Sequence, residues 1–418
     1  MGVPEAADRK SPVAEPEQAT AVNRPLHAAL LTGGQDPHYV YGLATALAGE
    51  NVALDVIGSE NEDCPAMHDA PKLRFLRLYG RHLPGSAVQR LGRMLLVYAR
   101  LIGYGLRAKP RLFHILWNYK LSVFDRTLLM LLFKLRGRKI VLTAHNVNAG
   151  RRDGRDTLLN RVSLRVQYRL ADHTFVHTEK MKTELLEQFR VSPGAVTVIP
   201  YGMNNAVPNS ERTTAEARRL LGLRNEDKVV LYFGAIKPYK GLEYLVKAFD
   251  RIGPQDTDYK LLIAGERKKG SEAYLGAIEQ MIDSSRCRAQ ILQRIRFIPD
   301  DEVELYFKAA DVIGLPYTEI FQSGILFLAY SFGLPVIATD VGSFRECVLE
   351  DKTGFVCKPH DAADLGRVIE RYFGSDLYRR REQRRPEIRD YVMQRHSWRT
   401  VASMTHSVYA SLLPAGRA

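Results

Sequence analysis

Two doubly wound α/β domains in tandem, facing a central cleft, are what this sequence predicts, and three observations carry the expectation. Short β-branched or leucine-rich runs alternate with longer helical patterns, the mark of parallel α/β layers. The alternation breaks off at 203–227 and then restarts. At 418 residues the chain exceeds one ordinary core of about 150 residues.

Taken in order, HAALLTGG (27–34) reads as a strand ending in a glycine turn, and HYVYGLATALAGE (38–50) as the helix that follows. NVALDVIG (51–58), RLFHILWN (111–118), KIVLTAHNV (139–147), HTFVHT (173–178) and AVTVIPYG (195–202) read as further strands, with His114 in the core. The break carries Pro208 and a Thr213-x-x-Glu216 capping box before a short helix, and reads as a connection. Beyond it, KVVLYFGAI (228–236), YKLLIAGE (259–266), RIRFIP (294–299), ADVIGLP (310–316) and LPVIATD (334–340) are strands. Helices are expected at 242–252, 274–286, 303–310, 325–332 and 363–373. The predicted organisation is therefore a disordered tail (1–24), a first Rossmann-like domain (25–205), a linker (206–226) and a second Rossmann-like domain (227–375). Helices over 376–418 are expected to return to the first domain.

Composition narrows the class. Hydrophobic residues make up 45% and charged residues 26%, which fits a globular chain rather than a disordered one. Four scattered cysteines (Cys64, Cys287, Cys347, Cys357) without a CxxC argue against disulfide scaffolds and metal knuckles, and for a reducing compartment. The polar, Pro/Ala/Glu-rich N-terminus lacks the apolar core of a signal peptide, and the densest apolar run, Leu128 to Phe133, is far short of a span. A cytoplasmic protein, soluble or peripheral on the inner face of the membrane, is expected.

The net charge of +13 is concentrated. Between Arg81 and Ile140, thirteen Lys and Arg stand against the single acid Asp125. Such a patch invites an anionic partner: phosphate, acidic lipid or nucleic acid. Within it, SAVQRLGRMLLVYARLIGYGL is periodic at about 100° per residue, placing Arg93, Arg100 and Arg107 on one face and Val88, Leu91, Leu95, Tyr98 and Ile102 on another. One reading is a surface helix packed through that apolar face; the other gives Arg90, Arg93, Arg100 and Arg107 a membrane-facing role.

Motif absence excludes several chemistries. There is no P-loop, no G-x-G-x-x-G, no H-E-x-x-H and no G-x-S-x-G. The most informative stretch is 316–348, where a strand ends at Pro316, a polar turn holds Gln322-Ser323-Gly324, and a helix begins. Free N–H groups at that helix start, the Ser323 hydroxyl and the small Gly324 make an anion site.

Phe233-Gly234 … Tyr239-Lys240-Gly241, Ile263-Ala264-Gly265 and Gly333-x-Pro335-Val336-x-Ala338-Thr339-Asp340-x-Gly342, in that order, resemble the C-terminal domain of family-4 glycosyltransferases. Gly33-Gly34, Thr143-x-His145 and Ile199-Pro200-x-Gly202 are compatible with the first domain of that family. The resemblance implies a GT-B fold and a retaining transfer from a nucleoside-diphosphate sugar to a hydroxyl acceptor, with domain 25–205 on the acceptor side and domain 227–375 binding the nucleotide sugar. It gives Lys240 the diphosphate contact; the family's arginine falls on Ala235, leaving Lys237 as the second cation. Gly34 is expected to let the backbone approach the donor phosphates, and His145, at the end of its strand, to reach the transferred sugar. Two glutamates with seven residues between them in the family fall on Ile320 and Leu328, so this chain resembles a branch with Q-S-G at the turn. Gln322, Ser323 and Gly324 then bind the donor phosphate. Glu319 and Glu346 are donor-side candidates, and Asn148 with Asp153 are acceptor-side candidates. No metal and no cofactor beyond the nucleotide-sugar co-substrate are expected, since no D-x-D stands at a suitable strand end. The expected acceptor is a saccharide or lipid-linked saccharide in surface polysaccharide or glycolipid assembly. Two rivals stand beside this reading: a sugar-nucleotide 2-epimerase, which needs carboxylates near the sugar, and a nucleic-acid binder, for which no recognition motif is present.

Overall fold

Among the described residues, thirteen strands, all paired in parallel, build two separate sheets. The computed structural model describes residues 25–80, 85–152, 154, 156–203 and 207–413; the expected tail and Asp153 lie outside them. The first sheet has the order β3-β2-β1-β4-β5-β6-β7 and the second β10-β9-β8-β11-β12-β13. In the first lobe these are β1 (Leu26–Leu31), β2 (Val52–Gly58), β3 (Leu73–Arg77), β4 (Leu112–Ile115), β5 (Lys139–Thr143), β6 (His173–Val176) and β7 (Val196–Val198). In the second they are β8 (Lys228–Phe233), β9 (Tyr259–Ala264), β10 (Ile291–Arg294), β11 (Val312–Leu315), β12 (Val336–Thr339) and β13 (Gly354–Cys357). This is the GT-B arrangement of two Rossmann-like lobes.

Parallel strands covered on both faces need apolar side chains on both, which is why these segments read as near-continuous hydrophobic runs. Along β1, Ala28 and Leu30 enter one core while Ala29 and Leu31 enter the other. The two sheets differ from the sequence expectation at their edges. β3 and β13 were not foreseen, and β10 precedes the expected 294–299 segment, pairing Ile291 with Leu261. Phe297 to Pro299 instead lead into the helix Asp300–Ala309.

The expected linker is largely part of the second lobe. Its capping box forms, with Thr213 and Glu216 bonded reciprocally, and the helix Thr214–Leu221 buries Ala217, Arg218 and Leu221. Arg218 pairs with Asp311 at 2.8 Å, both almost fully buried, fastening this helix to the start of β11. At the chain's far end, the helix Arg381–His396 continues through Pro386. The helix Trp398–Leu412 then lies on the first lobe, where Trp398, Val401 and Tyr409 share a core with Val40 and Leu43. The Tyr409 hydroxyl meets His114 Nδ1 at 2.6 Å, and Thr143 Oγ1 takes the other ring nitrogen at 2.7 Å, so His114 is a satisfied core residue.

The basic periodic segment is one continuous helix, Ala87–Arg107, despite Gly92 and Gly103. Its burial corrects the expected apolar face. Tyr98 is buried, together with Val97, Leu101 and Gly105, whereas Val88, Leu91 and Leu95 stand 80%, 51% and 57% exposed. The first turns run beyond the sheet they were expected to cover.

Candidate active site between the lobes

Ligands of doubly wound sheets bind at the carboxyl ends of the strands where the order reverses. In the second lobe that point lies between β8 and β11, and a cavity of about 380 Å³ opens there against the first lobe. Lys240, Tyr317, Gln322, Ser323 and Gly324 line it from one side; Asp36, His38, Tyr39 and Tyr201 line it from the other. The cation and the Q-S-G turn, eighty residues apart in sequence, therefore converge.

Local backbone geometry explains the convergence. Lys240 sits in a short turn, Pro238–Lys240, closed by Gly241 at φ 64°. A Cβ at Gly241 would lie 2.0 Å from the Pro316 carbonyl oxygen, so only glycine lets this turn press against the end of β11. The Thr318 N–H donates to the Tyr239 carbonyl at 2.8 Å and locks the two loops together. Ser323 begins the helix Gly324–Ser331, and its hydroxyl makes no capping bond. The Gln322 Oε1 accepts from the Ser343 hydroxyl at 2.5 Å, which fixes the turn.

Lys240 is 7% exposed, and no described acid forms an ion pair with it. Its Nζ lies 5.2 Å from the centre of the Tyr317 ring, and burial pushes its pKa down. The buried Tyr317 hydroxyl neighbours Ser323 without a geometrically complete hydrogen bond. A desolvated cation beside free helix N–H groups, with no carboxylate to neutralise it, is suited to an anionic ligand.

Other expected site residues are placed differently. Lys237 does not line the cavity; its Nζ rests 5.8 Å over the Tyr239 ring. His145 lies behind the cavity wall. Its ring stacks on Trp117 at 4.0 Å, and the cavity-lining Tyr39 meets it edge-on at 4.7 Å. The His145 Nδ1 is 3.0 Å from His177 Nε2, while its Nε2 is buried without a partner. Burial holds both imidazoles neutral, His177 down to about 4 and His145 well below the usual value.

Gly34 lines a second, smaller cavity in the first lobe, not the inter-lobe one, and its N–H is donated to Thr32 Oγ1 at 3.2 Å. That cavity lies at the β1/β4 switch point with Ser59, Tyr79, Tyr119 and Lys120, joined to the large one by the Gly33–Asp36 turn. Asn148 is 3% exposed and clips its loop to the next helix, donating to Asp156 and accepting from Asn160, each at 2.9 Å. Glu319 and Glu346 face the first lobe rather than the cavity. Burial and the nearby Glu179 carboxylate, at the start of the helix Glu179–Phe189, push the Glu346 pKa up, and Glu319 adds its charge to that felt by Glu184. Phe321 between them packs into the first lobe's core.

Several cavity residues were missed, among them Asp36, His38, Tyr201 and Trp398. Asp36 adopts φ 32°, accepts from the Tyr39 N–H at 3.1 Å and takes the Tyr201 hydroxyl at 3.0 Å. His38 reaches across to Asp300 of the second lobe at 3.4 Å. Tyr201 sits inside the quoted Ile199-Pro200-x-Gly202 motif, a signal within reach. Trp398 arrives only through the returning C-terminal helix, and nothing local announces it.

Residues 37–207 match the family described as Glycosyltransferase Family 4, and residues 213–388 match Glycosyl transferases group 1. The chain is a family-4 glycosyltransferase. The D-inositol 3-phosphate glycosyltransferase of Corynebacterium efficiens is 27% identical to this glycosyltransferase over 347 residues, 78% of each chain. Its counterpart in Corynebacterium diphtheriae is 29% identical over 215 residues, 49% of each chain. Among solved structures, sucrose-phosphate synthase from Thermosynechococcus elongatus superimposes with a TM-score of 0.73 at 21% identity, over 93% of this chain and 99% of that one. Anabaena HepE, solved with UDP and glucose, gives 0.72 at 16% identity over 93% and 100%. Both share the GT-B fold.

Proposed function

We propose that this glycosyltransferase moves a sugar from a nucleoside-diphosphate donor to a hydroxyl acceptor with retention of anomeric configuration. The observation that carries the reading is Lys240, buried without a counter-ion, beside the uncapped start of helix Gly324–Ser331 in one inter-lobe cavity. Lys240 and the N–H groups at 323–324 hold the diphosphate, Ser323 adds its hydroxyl, and Gln322 keeps the turn in place. As the anomeric C–O bond breaks, negative charge grows on the leaving diphosphate, and preorganised donors stabilise it. A diphosphate oxygen takes the proton of the acceptor hydroxyl, whose oxygen bonds to the anomeric carbon on the same face. Binding of this kind uses no metal ion, so a chelator leaves turnover unchanged.

The acceptor is read as seated in the small first-lobe cavity, where Lys120 supplies a cation and Ser59, Tyr79 and Tyr119 supply polar walls. Those groups suit a phosphorylated polyol or a saccharide carried on a lipid phosphate, in surface-glycan assembly at the inner face of a membrane. Relatives of the chain are named for D-inositol 3-phosphate, which supports the anionic class. The test supplies UDP-, GDP- and ADP-sugars with phosphorylated and unphosphorylated acceptors and follows diphosphate release and product configuration by NMR. Acceptor-dependent release with the donor's configuration kept is expected. An inverted product, or epimerised donor without acceptor, overturns the reading.

A further inference from the structure

Thirteen of the sixteen large apolar side chains that stand exposed among the described residues fall between Val88 and Val162, on three helical segments of the first lobe. Val88, Leu91, Leu95 and Leu96 are on the projecting half of the helix Ala87–Arg107. Leu128 and Leu135, 61% and 76% exposed, are on the segment 122–135. Leu158 and Leu159, at 77% and 61%, open the helix Leu158–Leu170.

These segments lie side by side. Tyr98 of the first packs on Phe124 of the second at 5.2 Å, and Gly105 meets the Phe133 ring. Arg126 of the second donates to Asn160 of the third at 2.8 Å. The segments that carry these exposed apolar residues thus adjoin one another on the first lobe. Exposed apolar side chains gathered on neighbouring elements mark an interaction surface.

Charge selects the partner. Arg90, Arg100, Arg107, Lys109 and Arg111 have no described acid within ion-pairing distance. Arg74, Arg100, Arg107 and Lys109 line a groove between this helix and β3, floored by Tyr104. A protein partner would have to match leucines on three helices and a cationic rim at once. An anionic bilayer offers both elements over any area: leucines enter the acyl boundary and guanidinium groups meet phosphates.

We infer that this flank of the first lobe docks on an anionic lipid bilayer, with Leu91, Leu95 and Leu96 inserted and Arg100, Arg107 and Lys109 of the groove holding lipid phosphate, Arg74 being engaged by Asp55. The inference deepens the acceptor reading above and rests on it for its consequence. The Tyr98 hydroxyl accepts from the Leu121 N–H at 2.8 Å, and Tyr98 packs on Tyr119. The docked helix is therefore joined directly to the Tyr119–Lys120 wall of the acceptor cavity, which faces a lipid-linked substrate.

The test is co-sedimentation of the full chain with vesicles of equimolar phosphatidylglycerol and phosphatidylcholine, against phosphatidylcholine alone, without donor or acceptor. Binding to the anionic vesicles is expected, weakened about tenfold or more without phosphatidylglycerol, and by similar factors in L91D/L95D/L96D and in R100E/R107E. Both variants should keep the far-UV circular dichroism spectrum and the turnover of a water-soluble acceptor. Wild-type protein that stays in the supernatant overturns the inference, as does binding indifferent to both substitution sets. A wild-type dimer that L91D/L95D/L96D turns into a monomer assigns the flank to a second copy and overturns it equally. Because no substrate is present, loss of vesicle binding leaves the transferase reading standing, and loss of transfer leaves the docking result standing.

Discussion

The two lobes share a strand order through their first six strands, yet they differ in what surrounds the switch point. The second lobe has one continuous core from Met203 to Val392 and presents a buried, uncompensated lysine to the cleft. The first lobe has two cores on opposite faces of its sheet, an open apolar flank, and a switch-point cavity whose lysine is only stacked on Tyr119. Under the proposed function, a shared six-strand order serves two tasks, with the closed second lobe holding the donor and the more open first lobe the acceptor.

The sharpest way to break this comparison is to remove the cation that distinguishes the second lobe. Lys240→Ala should lower kcat by about two to three orders of magnitude, the scale of losing one preorganised charge-stabilising donor. Its thermal stability should hold or rise, because an uncompensated buried charge is removed. Steady-state kinetics beside a melting curve separates the two effects. Near-normal turnover would take Lys240 out of the reaction and leave the lobes functionally alike.

Next in size is the turn that carries the lysine. Gly241→Ala places a methyl group 2.0 Å from the Pro316 carbonyl oxygen at a positive φ. A cost of at least about 2 kcal/mol is expected, since both strain and a backbone clash must be relieved. Urea unfolding reads it directly. Gly34→Ala, in the first lobe's equivalent turn, meets only Ser59 at 3.6 Å. It should cost less, through its φ of 71° alone.

The sequence made the second lobe's site legible and left the first lobe's largely hidden, for a physical reason. Lys240 and Gln322-Ser323-Gly324 lie at strand ends and a helix start, where local rules fix direction, and the switch-point rule then brings them together. His145 also ends a strand, but Tyr39, Trp117 and Trp398 decide whether it reaches the cleft, and those come from three distant segments. Glu346 occupies a motif yet answers to a helix start in the other lobe. The strand β3 escaped notice because its LRFLR carries two arginines, and β13 because GFVC is only four residues long. In the helix Ala87–Arg107 the period was legible, but a period cannot tell whether a sheet lies beneath each turn.

Acid should separate the lobes on a smaller scale. His114 and His177 are held neutral by burial, at about 3 and about 4, with His145 also well below 6.5. All three belong to the first lobe. Their folded values are depressed, so the unfolded chain binds more protons between about 4 and 6.5. Their contribution is therefore complete above pH 6.5 and is lost as pH falls through the folded values. For His177 the loss at the acid end is roughly 3 kcal/mol, and for His114, shifted further, it is larger. Hydrogen exchange at pH 5 should show first-lobe amides opening before second-lobe ones, and His177→Gln should flatten the difference.

The smallest expected effect concerns the contact that joins the two halves of the comparison. His38 in the first lobe lies 3.4 Å from Asp300 in the second, and both side chains are partly open to solvent, at 30% and 55%. A pair this exposed contributes roughly 0–1 kcal/mol and is screened by salt. It therefore biases lobe closure without determining it. His38→Ala and Asp300→Ala should each raise the donor KM by a few-fold at low salt at most, with kcat nearly unchanged. Their combination should be no worse than either alone, which is the double-mutant result for a single shared interaction. Additive losses would mean that the two residues contact the donor independently, making this rim of the cavity a recognition surface contributed by both lobes.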